Sequence, residues 1–128
     1  MNALAQSGLV ALGAAVGSNM RYWIGVAAHA NIRPWPWPTL LINVLGSFIL
    51  GLFAVTAFLK GWSDGWRLVF AVGLCGGFTT FSTFSFEAID LIMKRNIAGA
   101  AGYMAASLVL CIGGCWAGGH LARVLVAR

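Results

Sequence analysis

The chain has 128 residues, of which 60% are hydrophobic and only 9% charged, with a mean hydropathy of +0.87 and a formal net charge of +5. A soluble domain keeps about a quarter of its residues charged to wet its surface, so this composition excludes a soluble fold and leaves an integral membrane protein of one domain. The eight Lys and Arg fall mostly at the edges of apolar runs, where they snorkel to lipid headgroups, and not on the clustered solvated face that binds nucleic acid.

A membrane span takes about 20 apolar residues because each rises only about 1.5 Å, and four stretches qualify. The first covers about 5–28 and is interrupted only by Arg21. No basic residue precedes Arg21, so the run is expected to be a retained helix and not a cleaved signal. Prolines at 34, 36 and 38 then exclude helix, since each removes a donor and restricts its neighbour. The second span covers about 38–58, the third about 67–93 and the fourth about 97–121. Trp35 and Trp37 sit in the first connection and Trp62 and Trp66 in the second, which suits amphipathic rings at headgroup depth.

Threading these spans up and down places Lys60, Arg67, Arg123 and Arg128 on one side, with Arg21, Arg33, Lys94 and Arg95 on the other. Four charges face four, so the positive-inside rule assigns no orientation. Two readings of that balance stay open: too few charges for the rule to act, or copies that insert both ways and pair as an antiparallel dimer. Gly13 and Gly17 in the first span, and Gly114 and Gly118 in the fourth with Ala98, Gly102 and Ala106, form small-residue seams. Such seams let backbones approach closely and favour oligomerisation.

The third span carries the chemistry. A Gly76-Gly77 pair followed by Thr79-Thr80 predicts a helix break near 76–80, and irregular backbone at that depth is tolerated only inside protein or beside a cavity. A broken helix offers carbonyls to a cation and amides to an anion. A kink with Ser and Thr hydroxyls bonded back onto the helix fits the same residues equally well. Phe78, Phe81 and Phe84 recur every three residues, with Ser82, Thr83 and Ser85 among them. Ring edges are positive, so edge-on rings beside hydroxyl donors suit a partly dehydrated anion.

Asn43 lies within the second span, and Tyr103, Ser107 and Cys111 form one stripe on the fourth. Each alone is an interhelical hydrogen bond, and together they line a narrow polar path. Glu87 is an acid inside the membrane and therefore a functional candidate, whereas Asp90 pairs with Lys94 at i, i+4. Cys75, Cys111 and Cys115 are expected to be small buried hydrophobes, and His29 and His120 are isolated.

The run from Gly76 through Phe78, Thr79, Thr80, Phe81, Ser82, Thr83 and Phe84 to Ser85 closely resembles the third-helix signature of the Fluc fluoride channels, also called the CrcB family. Gly13, Gly17, Arg21, Thr39-Leu40, Asn43, Gly46, Gly102-Tyr103 and Ser107 extend the resemblance over essentially the whole chain. It implies an all-α integral membrane fold with four transmembrane helices, a broken third helix, and an antiparallel dual-topology homodimer. It further implies passive fluoride conduction through two pores in a lipid-embedded protein of the bacterial inner membrane, relieving fluoride toxicity without enzyme activity. Phe81 and Phe84 would contact fluoride edge-on, Asn43 would donate to it, and Ser82, Thr83, Ser85, Tyr103 and Ser107 would line a polar track. The carbonyls of Gly76 and Thr79 would hold a central structural sodium ion, Arg21 would lie in a vestibule, and Glu87 matches the glutamate after the signature. Cys111 departs from the serine of some members and is a weaker donor there.

Other classes fit the sequence less well, an enzyme least, since no nucleophile–base pair or metal cluster is visible in it. A small multidrug exporter needs a carboxylate in its first helix, whereas the first acid here is Asp64 in a loop. A proton-coupled fluoride transporter would depend on Glu87. An assembly or lipid-binding protein would leave the polar break without a purpose.

Overall fold

A computed structural model describes residues 1–29 and 35–126, and among them every regular element is helical. Residues 31–34 of the proline-rich connection, including Arg33, and also Arg128, lie outside the described residues. Helix α1 spans Ala3–His29 and α2 spans Trp37–Leu59, with Pro38 in its first turn where its missing N–H costs nothing. Helix α3 is composite: Asp64–Arg67, a π-helical stretch Leu68–Cys75, and a last turn Gly76–Phe78. After a two-residue break, α4 spans Phe81–Met93, and α5 spans Ile97–Val126. Gly61, at φ 61°, closes the turn after α2, and Arg95 adopts the same left-handed conformation (φ 59°) after α4.

Among the described residues, three segments are long and apolar enough to cross a membrane: Trp37–Leu59, Asp64–Met93 and Ile97–Val126. Helix α1 is 27 residues long, but Gln6, Asn19 and Arg21 lower its apolar character, and it is not among the three.

The helices pack as two pairs, each running in one direction. In the first, α1 lies along α3. A side chain at Gly13 or Gly17 would run into the α3 backbone at Val69 and Leu74, and one at Gly73 or Gly77 would meet the α1 backbone around Val10 and Ala14. In the second, α2 lies along α5 with partners 64 positions apart, as at Trp35–Gly99, and likewise at Ser47–Cys111, Gly51–Cys115 and Val55–Gly119. Gly51 and Gly118 give this pair its close approach. The predicted seams at Gly13, Gly17, Gly114 and Gly118 therefore pack helix against helix within one chain. Only the Ala98–Gly102 part stays open, with nothing within 4 Å of a side chain built at Gly102. A Gly17→Val chain is expected to lose about 1–3 kcal/mol or more of stability through overpacking against Leu74, measured as a lowered unfolding temperature of the detergent-solubilised protein.

Leu40, Ala88, Leu91, Ala100 and Tyr103 form a buried cluster where α2, α4 and α5 meet, with Trp35, Val44, Phe84 and Ala106 against it. This cluster is the floor on which the polar residues of the break are set.

Candidate functional site

The third-helix backbone stays helical through Gly76, Gly77 and Phe78 and leaves that form at Thr79 (φ −81°, ψ 158°) and Thr80 (φ −150°, ψ 112°). The break thus falls on the two threonines and not on the glycine pair. Gly77 is occupied with close packing on Ala14 and Ser18 of α1, while the Thr80 hydroxyl restores a partner lost at the break. Thr79 Oγ1 donates to Cys75 O (2.9 Å), and Thr80 Oγ1 caps α4 by accepting from Thr83 N (3.2 Å). Such a cap satisfies a backbone donor that the new helix start leaves orphaned.

Asn43 of α2 clamps the break with both ends of its amide. Its Oδ1 accepts from Thr80 N at 2.8 Å, and its Nδ2 donates to Thr80 O at 3.1 Å. Because an amide carries two N–H donors, one remains after this clamp. Thr80 Oγ1 also donates to Thr83 Oγ1 (3.0 Å) and lies 3.2 Å from Ser82 Oγ. Gly77 O accepts from Arg21 Nε (3.2 Å) and Ser18 Oγ (3.4 Å), so the cationic side chain of α1 reaches the break directly. Among the described residues, no donor meets the carbonyls of Gly76 and Thr79, since Thr80 N turns to Asn43 and Thr83 N to Thr80 Oγ1.

The phenylalanines do not form one stripe. Phe78 is buried beneath Gly46 of α2, whereas Phe81 and Phe84 follow the break and lie together, with ring centroids 5.4 Å apart. A three-residue repeat holds only along a continuous helix, and the extended threonines swing the later rings away from the first. Phe84 is half-buried against Tyr103, at 5.2 Å, while Phe81 is 78% exposed. Ser82 is exposed, and Ser85 Oγ is spent on Phe81 O (2.9 Å).

Glu87 sits one turn beyond Thr83. Thr39 Oγ1 of α2 donates to its Oε1 at 2.8 Å, and Tyr103 OH of α5 donates to its Oε2 at 2.7 Å. Two hydroxyls from two other helices therefore hold one carboxylate, the arrangement that a charged group away from bulk water requires. The 64-residue register continues this as two facing stripes, Thr39, Asn43 and Ser47 on α2 and Tyr103, Ser107 and Cys111 on α5. Ser47 lies beside Cys111. Asn43, opposite Ser107, spends its carbonyl on Thr80, and Ser107 Oγ is buried with no hydrogen-bond partner among the described residues.

Asn43, Thr83, Phe84, Glu87, Tyr103 and Ser107 thus converge between α2, α4 and α5. Arg21 reaches Gly77 O from α1, the Thr79 methyl packs against Gly46 of α2 while nothing lies within 4 Å of a side chain built at Gly76, and Phe81 and Ser82 are exposed. Asp90 pairs with Lys94 as expected (2.6 Å), and His120 stacks on Trp116 at 5.6 Å. Sequence reasoning gave no role to Ser18, Ser47 or the Thr80 cap. Ser47 had a findable signal, because it continues the i, i+4 spacing of Thr39 and Asn43.

A family model described as CrcB-like protein, Camphor Resistance (CrcB), matches residues 8–119. A protein of Paramagnetospirillum magneticum named fluoride-specific ion channel FluC is 42% identical over 124 residues, covering 94% of this chain and 96% of the relative. Proteins of the same name from Nitrobacter winogradskyi and Caulobacter vibrioides are each 44% identical, over 119 and 122 residues. These alignments cover 91% and 93% of this chain, and 94% and 96% of those relatives. With a family match over most of its length and relatives aligned nearly end to end, the chain belongs to the CrcB family.

Proposed function

We propose that this chain is a passive fluoride-selective channel of the bacterial inner membrane, letting cytoplasmic fluoride escape through two pores of an antiparallel, dual-topology homodimer. The observation that carries this reading is the end-to-end similarity to proteins named fluoride-specific ion channel.

The geometry supports it at several points. Helix α1 follows α3 in one direction, its 27 residues reach about 40 Å against a hydrocarbon core of about 30 Å, and its Arg21 is bonded inward to Gly77 O. These features support α1 as the fourth span. Fluoride gives up water to enter a narrow path, so each lost water needs a replacement donor or positive ring edge. The Phe81 and Phe84 rings, the spare N–H of Asn43 and the unpartnered hydroxyl of Ser107 are suited to that task. Phe81 is largely exposed in the single chain, and a second copy would enclose it.

A central sodium ion would fit the same picture. The unmet carbonyls of Gly76 and Thr79 are hard oxygen ligands of the type alkali and alkaline-earth cations prefer, and a second copy would contribute the same pair. When bound, a sodium ion supplies positive charge that holds the two breaks together. For the chain's own part, Asn43 takes the Thr80 N–H and the Thr80 hydroxyl takes the Thr83 N–H, so neither amide occupies those carbonyls.

Two measurements follow. Ser107→Ala is expected to leave stability equal or raise it by about 1 kcal/mol, because it removes a buried unsatisfied hydroxyl, while fluoride flux falls; unfolding temperature and efflux rate are read on one preparation. In bacteria lacking their own fluoride exporter, expression is expected to restore growth in fluoride. Unchanged sensitivity with the protein present in the membrane would remove the reading.

A further inference from the structure

We propose that Trp35 is a positioning residue of the pathway: its indole holds the Tyr103 ring and, through it, the Glu87 carboxylate in the arrangement that conduction needs. The inference rests on the channel reading above and deepens it.

By sequence Trp35 is an interfacial anchor, and such a ring needs only headgroups around it. Its surroundings in the fold are different. The ring is half-buried, packs on the buried cluster, and meets Tyr103 edge to face at 5.4 Å with a 76° interplanar angle. Its Nε1–H donates to Gly99 O at 3.3 Å. Gly99 lies one turn before Tyr103, so the indole is pinned to the same helix whose tyrosine it abuts. Tyr103 is fully buried, with Phe84 as a further ring neighbour at 5.2 Å and its hydroxyl on Glu87 Oε2 at 2.7 Å. The rings Trp35, Tyr103, Phe84 and Phe81 therefore form a continuous series ending at the break.

A tyrosine hydroxyl has no freedom to seek its acceptor except by moving its ring, and a hydrogen bond weakens steeply once misaligned. Removing the indole opens space beside Tyr103 and lets the ring tip. Glu87 then keeps only the Thr39 hydroxyl, and its charge is less well neutralised beside a path meant for an anion. The loss appears as slower fluoride passage.

The test is a double-mutant cycle read as fluoride efflux from liposomes. Trp35→Leu and Tyr103→Phe are each expected to slow efflux about tenfold, the weight of one hydrogen bond to a charged group. The double variant is expected to be no slower than Tyr103→Phe alone, because Trp35 acts through the hydroxyl already removed. Trp35→Phe, which keeps a ring, is expected to recover most of the rate, as a merely space-filling role would not require. If Trp35→Leu fails to assemble, Trp35→Met takes its place in the cycle. Fully additive losses with a conducting wild type would overturn this inference alone, whereas a wild type that releases no fluoride would overturn the channel reading and this inference with it.

Discussion

Phe81→Ile and Phe84→Ile channels are expected to lose fluoride flux by about two orders of magnitude or more while still assembling. Isoleucine matches the apolar bulk but offers no positive ring edge, so an ion that has shed water meets hydrocarbon in its place. A hundredfold loss corresponds to about 2.7 kcal/mol on the barrier, a modest share of what dehydration of a small anion demands. The two positions differ in how much folding should suffer. Phe81 is 78% exposed in the single chain and Phe84 is packed on Tyr103, so Phe84→Ile is expected to loosen the chain's own packing and lower the unfolding temperature, whereas Phe81→Ile leaves that packing intact and bears only on the contact with the second copy. Efflux and unfolding measured together separate these effects. Undiminished flux in both variants would take the rings out of the mechanism.

Asn43→Ala is expected to damage both stability and conduction. The substitution strips Thr80 N and Thr80 O of their partners at once, and each partly buried backbone group left unpaired costs about 1–3 kcal/mol. Asn43→Asp separates the two roles. Its carboxylate still accepts from Thr80 N, but it cannot donate to Thr80 O and puts negative charge beside the path. The aspartate variant is expected to assemble better than the alanine variant and to conduct as poorly or worse. An aspartate channel of normal flux would leave Asn43 as a clamp with no part in passage.

What the sequence made legible was what depends on near neighbours. Apolar length marked out the helices, and the Asp90–Lys94 pair followed from i, i+4 spacing. A break near 76–80 was readable from Gly76-Gly77 and Thr79-Thr80, but not that it falls on the threonines and leaves the glycines helical. A glycine pair serves unwinding or close packing, and which use applies depends on Ala14 and Ser18, far away in the chain. The same distance hid the partners of Glu87, since Thr39 lies 48 positions away. The three-residue repeat of Phe78, Phe81 and Phe84 does not survive as one stripe, because the break lies between the first ring and the other two. Seams at Gly13, Gly17 and Gly118 were visible as patterns, while the surface each one packs on was settled only by the pairing of α1 with α3 and of α2 with α5. The π-helical stretch Leu68–Cys75 left no sequence signal that we recognise.

The most direct measurement is ion efflux from liposomes holding the purified wild-type protein, with fluoride and chloride electrodes read in parallel and valinomycin added to carry the balancing charge. Rapid fluoride release that requires valinomycin, without chloride release, is the predicted result. Fluoride release indifferent to valinomycin and driven by a proton gradient would contradict passive conduction and make Glu87 a proton carrier, and release of neither ion from a well-folded preparation would contradict transport altogether.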